Sequence, residues 1–387
     1  MSYDVAIVGG GVIGWSIASH LVDIRPEARV VVLERQPRCG MGSTGRAAGG
    51  VRAQFGTRAN VELSVRSIRE FESFQRLTGV DCGFRQCGYL FVTAEGSRLA
   101  QMLDLVAVQR DLDVPSRILD LEQIQQLVPI LNVRDLVGGT FSSSDGFLDP
   151  FSVCVGYERK ARAAGVHAEY GAEVTSLGGR VVEFCQNSQT HSLEADVFVL
   201  ATGHWSASNA GNLGYDLPIH PSLHQLAMTE RCPGLPGDLP MVVDADTTFH
   251  FRREGEGLLI GFDGGEVEAS RDPFEEDPPK FSDGFLEALA IPALHRLPLL
   301  EAVGFATDRS WTGYYADTPD KHGIIGWIDD CVLAAVGFGG HGVMHSPAVG
   351  AAAAEMALGR NSSFSYIDCF SPHRFKEGKL NVEPLTI

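Results

Sequence analysis

Residues 3–34 read YDVAIVGGGVIGWSIASHLVDIRPEARVVVLE, and this stretch decides the fold. Tyr3–Val8 is a short β-rich run that leads at once into Gly9-Gly10-Gly11-Val12-Ile13-Gly14. Trp15–Leu21 has helical character, with apolar positions at Ile17, Ala18 and Leu21, and Arg29–Leu33 is a second strand ending at Glu34. The order is strand, glycine turn, helix, strand, acid. Gly9 permits the tight turn, Gly11 lets a pyrophosphate approach the backbone, and Gly14 lets helix and strand pack closely. The N-terminus of the helix that follows presents free N–H groups and a partial positive charge that suit phosphate. Glu34 lies twenty positions after Gly14, where an acid binds the ribose hydroxyls of an adenosine and disfavours a 2′-phosphate. The spacing predicts a dinucleotide site without separating NAD from FAD.

The rest of the chain sets bounds on what surrounds that unit. Its 387 residues suffice for one large or two smaller domains, and 44% hydrophobic with 21% charged residues is an ordinary globular composition. A formal net charge of −18 argues against nucleic acid and anionic membrane surfaces as partners. The eight cysteines, Cys39, Cys82, Cys87, Cys154, Cys185, Cys232, Cys331 and Cys369, form no C-x-x-C pair. Neither zinc nor a disulfide framework is expected, and free thiols in a reducing cytosol are the plainer reading. No metal site is expected. The run Val5–Val8 is a strand and not a signal peptide. No stretch approaches the roughly 20 apolar residues of a membrane span, and Ala348–Leu358 reads as a buried helix. A cytoplasmic protein follows as the expectation.

Three further segments separate FAD from NAD. Ser43-Thr44-Gly45-Arg46-Ala47-Ala48-Gly49-Gly50-Val51-Arg52 is a small-residue loop with two arginines. Asp196–Leu200 is a strand that ends in Ala201-Thr202-Gly203-His204-Trp205-Ser206. Val332–Val336 is a strand that leads into Gly337-Phe338-Gly339-Gly340-His341-Gly342-Val343-Met344, preceded by WTGYYADTPD over Trp311–Asp320. With the opening motif, and in this order, these segments resemble the FAD-dependent amino-acid oxidase superfamily, which includes D-amino-acid oxidase, glycine oxidase and sarcosine oxidase. GGVRAQFGT (49–57), QCGYLFV (86–92) and SDGFLDPF (144–151) are most similar to the β subunits of heterotetrameric sarcosine oxidase and FAD-dependent L-proline dehydrogenase.

The resemblance implies an α/β fold: a Rossmann-like FAD-binding domain of the glutathione-reductase type, interleaved with an α+β substrate domain on a mixed or antiparallel sheet. The FAD domain is expected over 1–85, 147–215 and 320–375, the substrate domain over 86–146 and 216–319, and a tail over 376–387 that extends onto a neighbour or frays. Strands are expected at Tyr89–Thr93 and near 222–229, 248–253 and 257–262. Helices are expected at Ser97–Leu112, Leu121–Val128 and Phe151–Ala164. Val166–Val182 is strand-like, and Pro273–Pro279 is expected to be an exposed loop.

Motif and resemblance together assign to the cofactor Gly9, Gly11, Val12, Ile13, Gly14, Glu34 and Arg35. They add Ser43, Thr44, Arg46, Gly49, Gly50 and Val51, then Val174, Ala201, Thr202, Gly203 and Trp205. Gly339, Gly340, His341, Gly342, Val343 and Met344 complete the set. The last group begins a helix whose N-terminus suits the negative charge of a reduced flavin. The implied reaction is oxidation of the C–N bond of an amino acid or secondary amine, proline- or sarcosine-like, by hydride transfer to flavin N5, giving an imine. Such chemistry needs orientation and a cation more than an acid–base triad.

The catalytic candidates are Arg52, Tyr315, His341 and His250. Alternation puts His250 and Arg252 on one face of their strand. His204, His224 and His345 read as structural. In the glycine-oxidase relatives a carboxylate-binding arginine lies near Tyr315, so the tyrosine here departs from the pattern. Gly313 stands where monomeric sarcosine oxidases carry the cysteine that attaches flavin, and Met344 where they carry a lysine. Non-covalent FAD is therefore expected, with O2, a partner subunit or a quinone open as electron acceptor. Two alternatives stay open: a dehydrogenase of 2-hydroxy acids or related alcohols, which needs a base, and a non-catalytic FAD-holding assembly protein.

Overall fold

In the computed structural model, residues 2–206, 214–264 and 280–384 are described. The opening unit is β1 (Ser2–Val8), α1 (Val12–Ile24) and β2 (Val30–Glu34). There follow β3 (Gly50–Val51), α2 (Arg58–Phe71), α3 (Phe74–Thr78), β4 (Tyr89–Thr93), α4 (Gly96–Arg110), β5 (Ser116–Leu119), α5 (Leu121–Leu127), β6 (Gly138–Ser142) and β7 (Gly146–Phe147). Next come α6 (Pro150–Ala163), β8 (His167–Tyr170), β9 (Glu173–Gly178), β10 (Val181–Gln186) and β11 (Gln189–Leu200). The last stretch holds β12 (His220–Met228), β13 (Met241–Asp244), β14 (His250–Glu254), β15 (Gly257–Gly261), α7 (Asp283–Arg296), β16 (Trp311–Asp317), β17 (Ile324–Asp329), β18 (Val332–Val336) and α8 (Gly342–Ala357).

Two sheets carry the fold. The first runs β17-β18-β11-β1-β2-β8, parallel except for β17, with the hairpin β9–β10 attached to β11. Its central strands are buried on both faces, which is why they read as unbroken apolar runs. Val5, Ile7, Val30 and Val32 pack under α1, α2, α6 and α8. Ala6, Val8, Val31 and Leu33 face Leu177, Val182 and Phe184 of the hairpin. The second sheet runs β16-β12-β15-β14-β13-β4-β6-β5, antiparallel except for β13 beside β4. Phe285, Leu289 and Ala293 of α7 close its core. The chain passes back and forth between the sheets, so each is assembled from separated segments.

Glycine sets the closest contacts. A Cβ on Gly14 would stand 2.0 Å from the Gly9 carbonyl oxygen, so α1 rests directly on the end of β1. Gly350 does the same between helices: a Cβ there would lie 2.1 Å from Ser16 Oγ, which donates to the Ser346 carbonyl at 2.7 Å. This brings α1 and α8 side by side, with both N-termini at the same edge of the first sheet. α6 starts on Asp149, whose carboxylate accepts from Ser152 N at 2.6 Å, with Pro150 at its first position.

Most expected elements are present at or near their positions. Val166–Val182 instead divides into β8, β9 and the start of β10, broken by turns at Gly171 (φ +72°) and Gly179 (φ +58°). The stretch expected at Pro273–Pro279 lies outside the described residues. The tail, through Pro384, turns inward: Glu383 is 2% exposed, because its carboxylate finds backbone donors at the start of α2. Among the described residues no helix is long and apolar enough to cross a membrane.

Candidate functional site

A cleft opens at the carboxyl ends of β1, β2, β11 and β18, where ligands bind in open α/β sheets. Its empty volume is about 1210 Å³ including the mouth, above the roughly 300–1,000 Å³ of most small-ligand pockets. Gly9, Gly11, Val12 and Ile13 line it from the first turn, and Glu34 and Arg35 from the end of β2. Ser43 and Thr44 form the near lip and Val174 the far end. Ala201, Thr202, Gly203 and Trp205 close one side, and Gly339, Gly340, Gly342 and Val343 the other. α1 and α8 both start here with no acidic residue in the first turn and no cap from the N-cap residue's own side chain, so two helix N-termini offer positive potential to an anion.

These residues fit a flavin dinucleotide. Gly9 has φ +111°, and a Cβ there would come within 2.4 Å of the Ala201 carbonyl oxygen. Gly11 keeps the cleft open beside Thr44, whose Oγ1 accepts from Val12 N at 3.1 Å. Glu34 accepts from the amides of Gly10 (2.6 Å) and Gln36 (2.8 Å). Burial nevertheless pushes its carboxyl above the ordinary range, and hydroxyl donors from a ribose would relieve that. Trp205 lies between the Arg35 guanidinium (4.5 Å) and the His204 ring (3.7 Å). Its Nε1 is buried without a partner, a donor left for a ligand.

Several expected cofactor residues lie behind the wall. Gly14 packs under the turn. Arg46 donates to the Thr312 carbonyl and sits against Gly313, where a Cβ would meet its Cβ at 3.0 Å. Gly49 (φ +78°) passes under Leu148, Gly50 fits against Met241 and Tyr89, and Val51 and Met344 are core.

A second cavity of about 530 Å³ adjoins the cleft, and the two share Tyr315 and the segment Gly337–Gly340. Its other walls are Ser222, His224, Asp263, Asp317, Thr318, Lys321 and His341. Tyr315 stacks on His224 with ring centroids 3.7 Å apart and planes inclined by 24°. A Cβ on Gly340 would lie 2.8 Å from the tyrosine ring, so only glycine lets the ring lie there. Burial pushes the Tyr315 phenol up to about 12, and Asp317 adds to the shift. Asp317 accepts from Ser222 Oγ and, at 2.9 Å, from Lys321 Nζ. Burial holds both His224 and His341 below the ordinary imidazole range. Both are neutral near pH 7.

Arg52 lines neither cavity. It is 1% exposed, over the ring of Phe55 (3.9 Å). It donates to the Gln54 carbonyl, and its Nη2 lies 3.4 Å from His341 Nε2. A guanidinium can only donate, so His341 Nε2 is the acceptor and the imidazole proton is assigned to Nδ1. His250 also lies off both walls: its Nδ1 is 2.9 Å from the Thr248 carbonyl, and its ring fills the space over Gly261. Arg252, two residues on, donates to the Ala48 carbonyl. His204 packs between Trp205 and Tyr314, and His345 pairs with Ser64 at 2.9 Å. His224, Asp317 and Lys321 were not expected at the site. Only the pairing of β12 with β16, Ser222 opposite Tyr315, brings His224 there.

Asp145 anchors the Arg52 segment. It is fully buried and accepts from Ala53 N, Gln54 Nε2, Ser142 Oγ and Ser144 Oγ. Burial still pushes its carboxyl up to about 6. A folded-state value raised above the unfolded one means that stability is lost as pH rises through that window. Asp145→Asn is therefore expected to gain on the wild type by about 3 kcal/mol between pH 4 and pH 8, read from denaturant midpoints. A pH-independent difference contradicts it.

The profile of the family described as "FAD dependent oxidoreductase" (DAO) matches residues 4–356. The chain is 30% identical to "FAD-dependent oxidoreductase domain-containing protein 1" of Xenopus laevis, over 96% of this chain and 82% of that protein. It is 28% identical to mitochondrial dimethylglycine dehydrogenase of Mus musculus, over 96% of this chain and 44% of that longer protein. The crystal structure of L-proline dehydrogenase from P. horikoshii superposes with a TM-score of 0.87 at 27% identity, covering 98% of this chain and 99% of that one.

Proposed function

We propose, on the premise that the chain belongs to the FAD-dependent oxidoreductase (DAO) family, that it oxidises the C–N bond of an amino acid or secondary amine to an imine. The observation that carries this reading is the polar cavity that shares Tyr315 and Gly337–Gly340 with the dinucleotide cleft. The chemistry FAD supplies when bound is acceptance of a hydride, that is, two electrons and a proton. The residues that hold it are those of the cleft wall, with Glu34 for the ribose and the N-termini of α1 and α8 for the anionic groups. Gly313 offers no nucleophile at the position where monomeric sarcosine oxidases attach flavin, which favours binding without a covalent bond.

The chain's own groups then bind and orient the amine. The stacked pair Tyr315–His224 forms a flat wall against which a small cyclic or N-alkyl substrate fits. The neutral His224 imidazole takes the proton that an ammonium must shed before its α-carbon can lose hydride. Asp317 and Lys321 give the cavity one acceptor and one cation, and His341 offers an Nδ1–H donor. The names of the relatives, dimethylglycine dehydrogenase and L-proline dehydrogenase, support an amine substrate. His341 Nε2 is engaged by Arg52, so a hydroxy-acid reaction would have to use His224 as its base, and the preference for an amine rests on the relatives' names. A joined second cavity likewise favours an enzyme over a non-catalytic FAD holder.

Under this reading the first sheet with its helices is the cofactor domain and the second sheet the substrate domain. O2, a partner subunit or a quinone takes the electrons. Eight free cysteines support a reducing setting. Mixing the FAD-loaded protein anaerobically with amines and with hydroxy acids tests the proposal: amines are expected to bleach the flavin, and bleaching by hydroxy acids alone refutes it.

A further inference from the structure

The tail carries a buried carboxylate that no sequence pattern marks. Glu383 Oε1 accepts from Gly56 N at 2.6 Å. Its Oε2 accepts from Thr57 N (3.3 Å), Thr57 Oγ1 (3.0 Å) and Asn60 Nδ2 (2.9 Å). Thr57 is the N-cap of α2, so a negative group from the far end of the chain sits on that helix's first turn, where unpaired N–H groups and the dipole favour an anion. The tail is itself fixed. Glu383 N donates to the Asp320 carbonyl at 3.2 Å, and the Asp320 carboxylate holds Arg374 with two hydrogen bonds of 2.8 and 2.9 Å. Pro384 packs so tightly on Gly56 that a Cβ there would lie 2.2 Å from its ring.

The segment gripped in this way begins with Arg52. Asp145 holds residues 53 and 54 from one side, and Glu383 holds 56, 57 and 60 from the other. Both carboxylates also act electrostatically on the buried guanidinium, offsetting part of its desolvation. Arg52 in turn reaches His341, which faces the second cavity.

We propose that Glu383 is a positioning residue: the C-terminal tail clamps residues 52–60 so that Arg52 stays fixed behind His341, next to the wall the two cavities share. The inference rests on the reading that cofactor and substrate meet at that wall, and its main test needs no substrate. In the full-length, FAD-loaded protein, the midpoint potential of the bound flavin is measured by reductive titration for the wild type and Glu383→Gln. Deleting a negative charge alone raises the potential. Loss of the ordered Arg52 cation lowers it, because the reduced flavin is negatively charged. A lower potential is expected in Glu383→Gln, with no further lowering when the substitution is added to Arg52→Met, where only the upward effect of the lost charge remains, since groups acting through one another are not additive. With an amine that reduces the protein, kcat is expected to fall about tenfold with a smaller change in KM. Val382→Ala, at a position 60% exposed, is the silent control. A raised or unchanged potential in Glu383→Gln, or a further lowering on Arg52→Met, overturns the proposal. Should Glu383→Gln not retain FAD, Asn60→Ala decides. It removes one donor and leaves both charges, a lower potential is again expected, and an unchanged one overturns the proposal. If no amine reduces the protein, the function proposed above fails while the potentials still report on the clamp.

Discussion

Replacing Gly11 by aspartate is expected to give a folded protein that no longer holds FAD. Gly11 caps α1 with φ −77° and ψ −177°, a backbone any residue adopts. A Cβ there meets only Thr44 Oγ1, at 3.3 Å, so the side chain fits if that hydroxyl gives by a few tenths of an ångström. Aspartate is a favoured N-cap, better than glycine by only a few tenths of a kcal/mol. The free protein should therefore unfold no earlier than the wild type. The same carboxylate occupies the helix N–H groups and sets a negative charge where the pyrophosphate must lie. Losing charge-assisted hydrogen bonds and adding like-charge repulsion costs several kcal/mol, so FAD affinity should drop roughly 100- to 1000-fold. Fluorescence titration of the apoprotein with FAD measures this, and thermal unfolding of the same samples checks the fold. The wild type, denatured and centrifuged, should leave its yellow colour in the supernatant. A Gly11→Asp protein that binds FAD as the wild type does would place the cofactor elsewhere.

The second large effect concerns the shared wall. Tyr315→Ala removes the ring that stacks on His224 and separates the two cavities. FAD should still bind, because the glycine turn, Glu34 and the helix N-termini are untouched. The amine loses its flat wall, and His224 loses the contact that fixes its plane. A misplacement of about 1 Å at a reacting centre costs on the order of 100-fold, so anaerobic flavin reduction by the best amine should slow by that factor. Tyr315→Phe keeps the stack and should lose far less. Equal rates for wild type and Tyr315→Ala would remove the second cavity from the reaction.

The contrast between these two sites explains what was legible in the sequence. Gly9, Gly11, Gly14 and Glu34 announce themselves because each position is dictated locally, by a turn, a close approach or an acid at the end of the next strand. The parallel strands were equally plain, being buried on both faces. The Tyr315–His224 pair was not, since it exists only through the pairing of β12 with β16 across 90 residues of chain. Arg52 was picked out from its loop, but its burial under Phe55 and its link to His341 depend on α8 arriving from the far end of the sequence. Glu383 lies in a tail without periodicity, and its role comes from where the tail ends up. α2 and α7 are absent from the expected elements, although Val61, Ile68 and Phe71 in the first and Phe285, Leu289 and Ala293 in the second recur at helical spacings.

The central claim is that this family member removes a hydride from an amine held in the His224–Tyr315 cavity. The most direct measurement is the flavin spectrum of the purified holoprotein after anaerobic mixing with matched pairs of proline, N-methyl amino acids and their 2-hydroxy-acid counterparts. Stoichiometric bleaching is expected with at least one amine and none with its hydroxy-acid partner, and the yellow form should return on adding an electron acceptor. Bleaching by the hydroxy acids with the amines inert would contradict that claim.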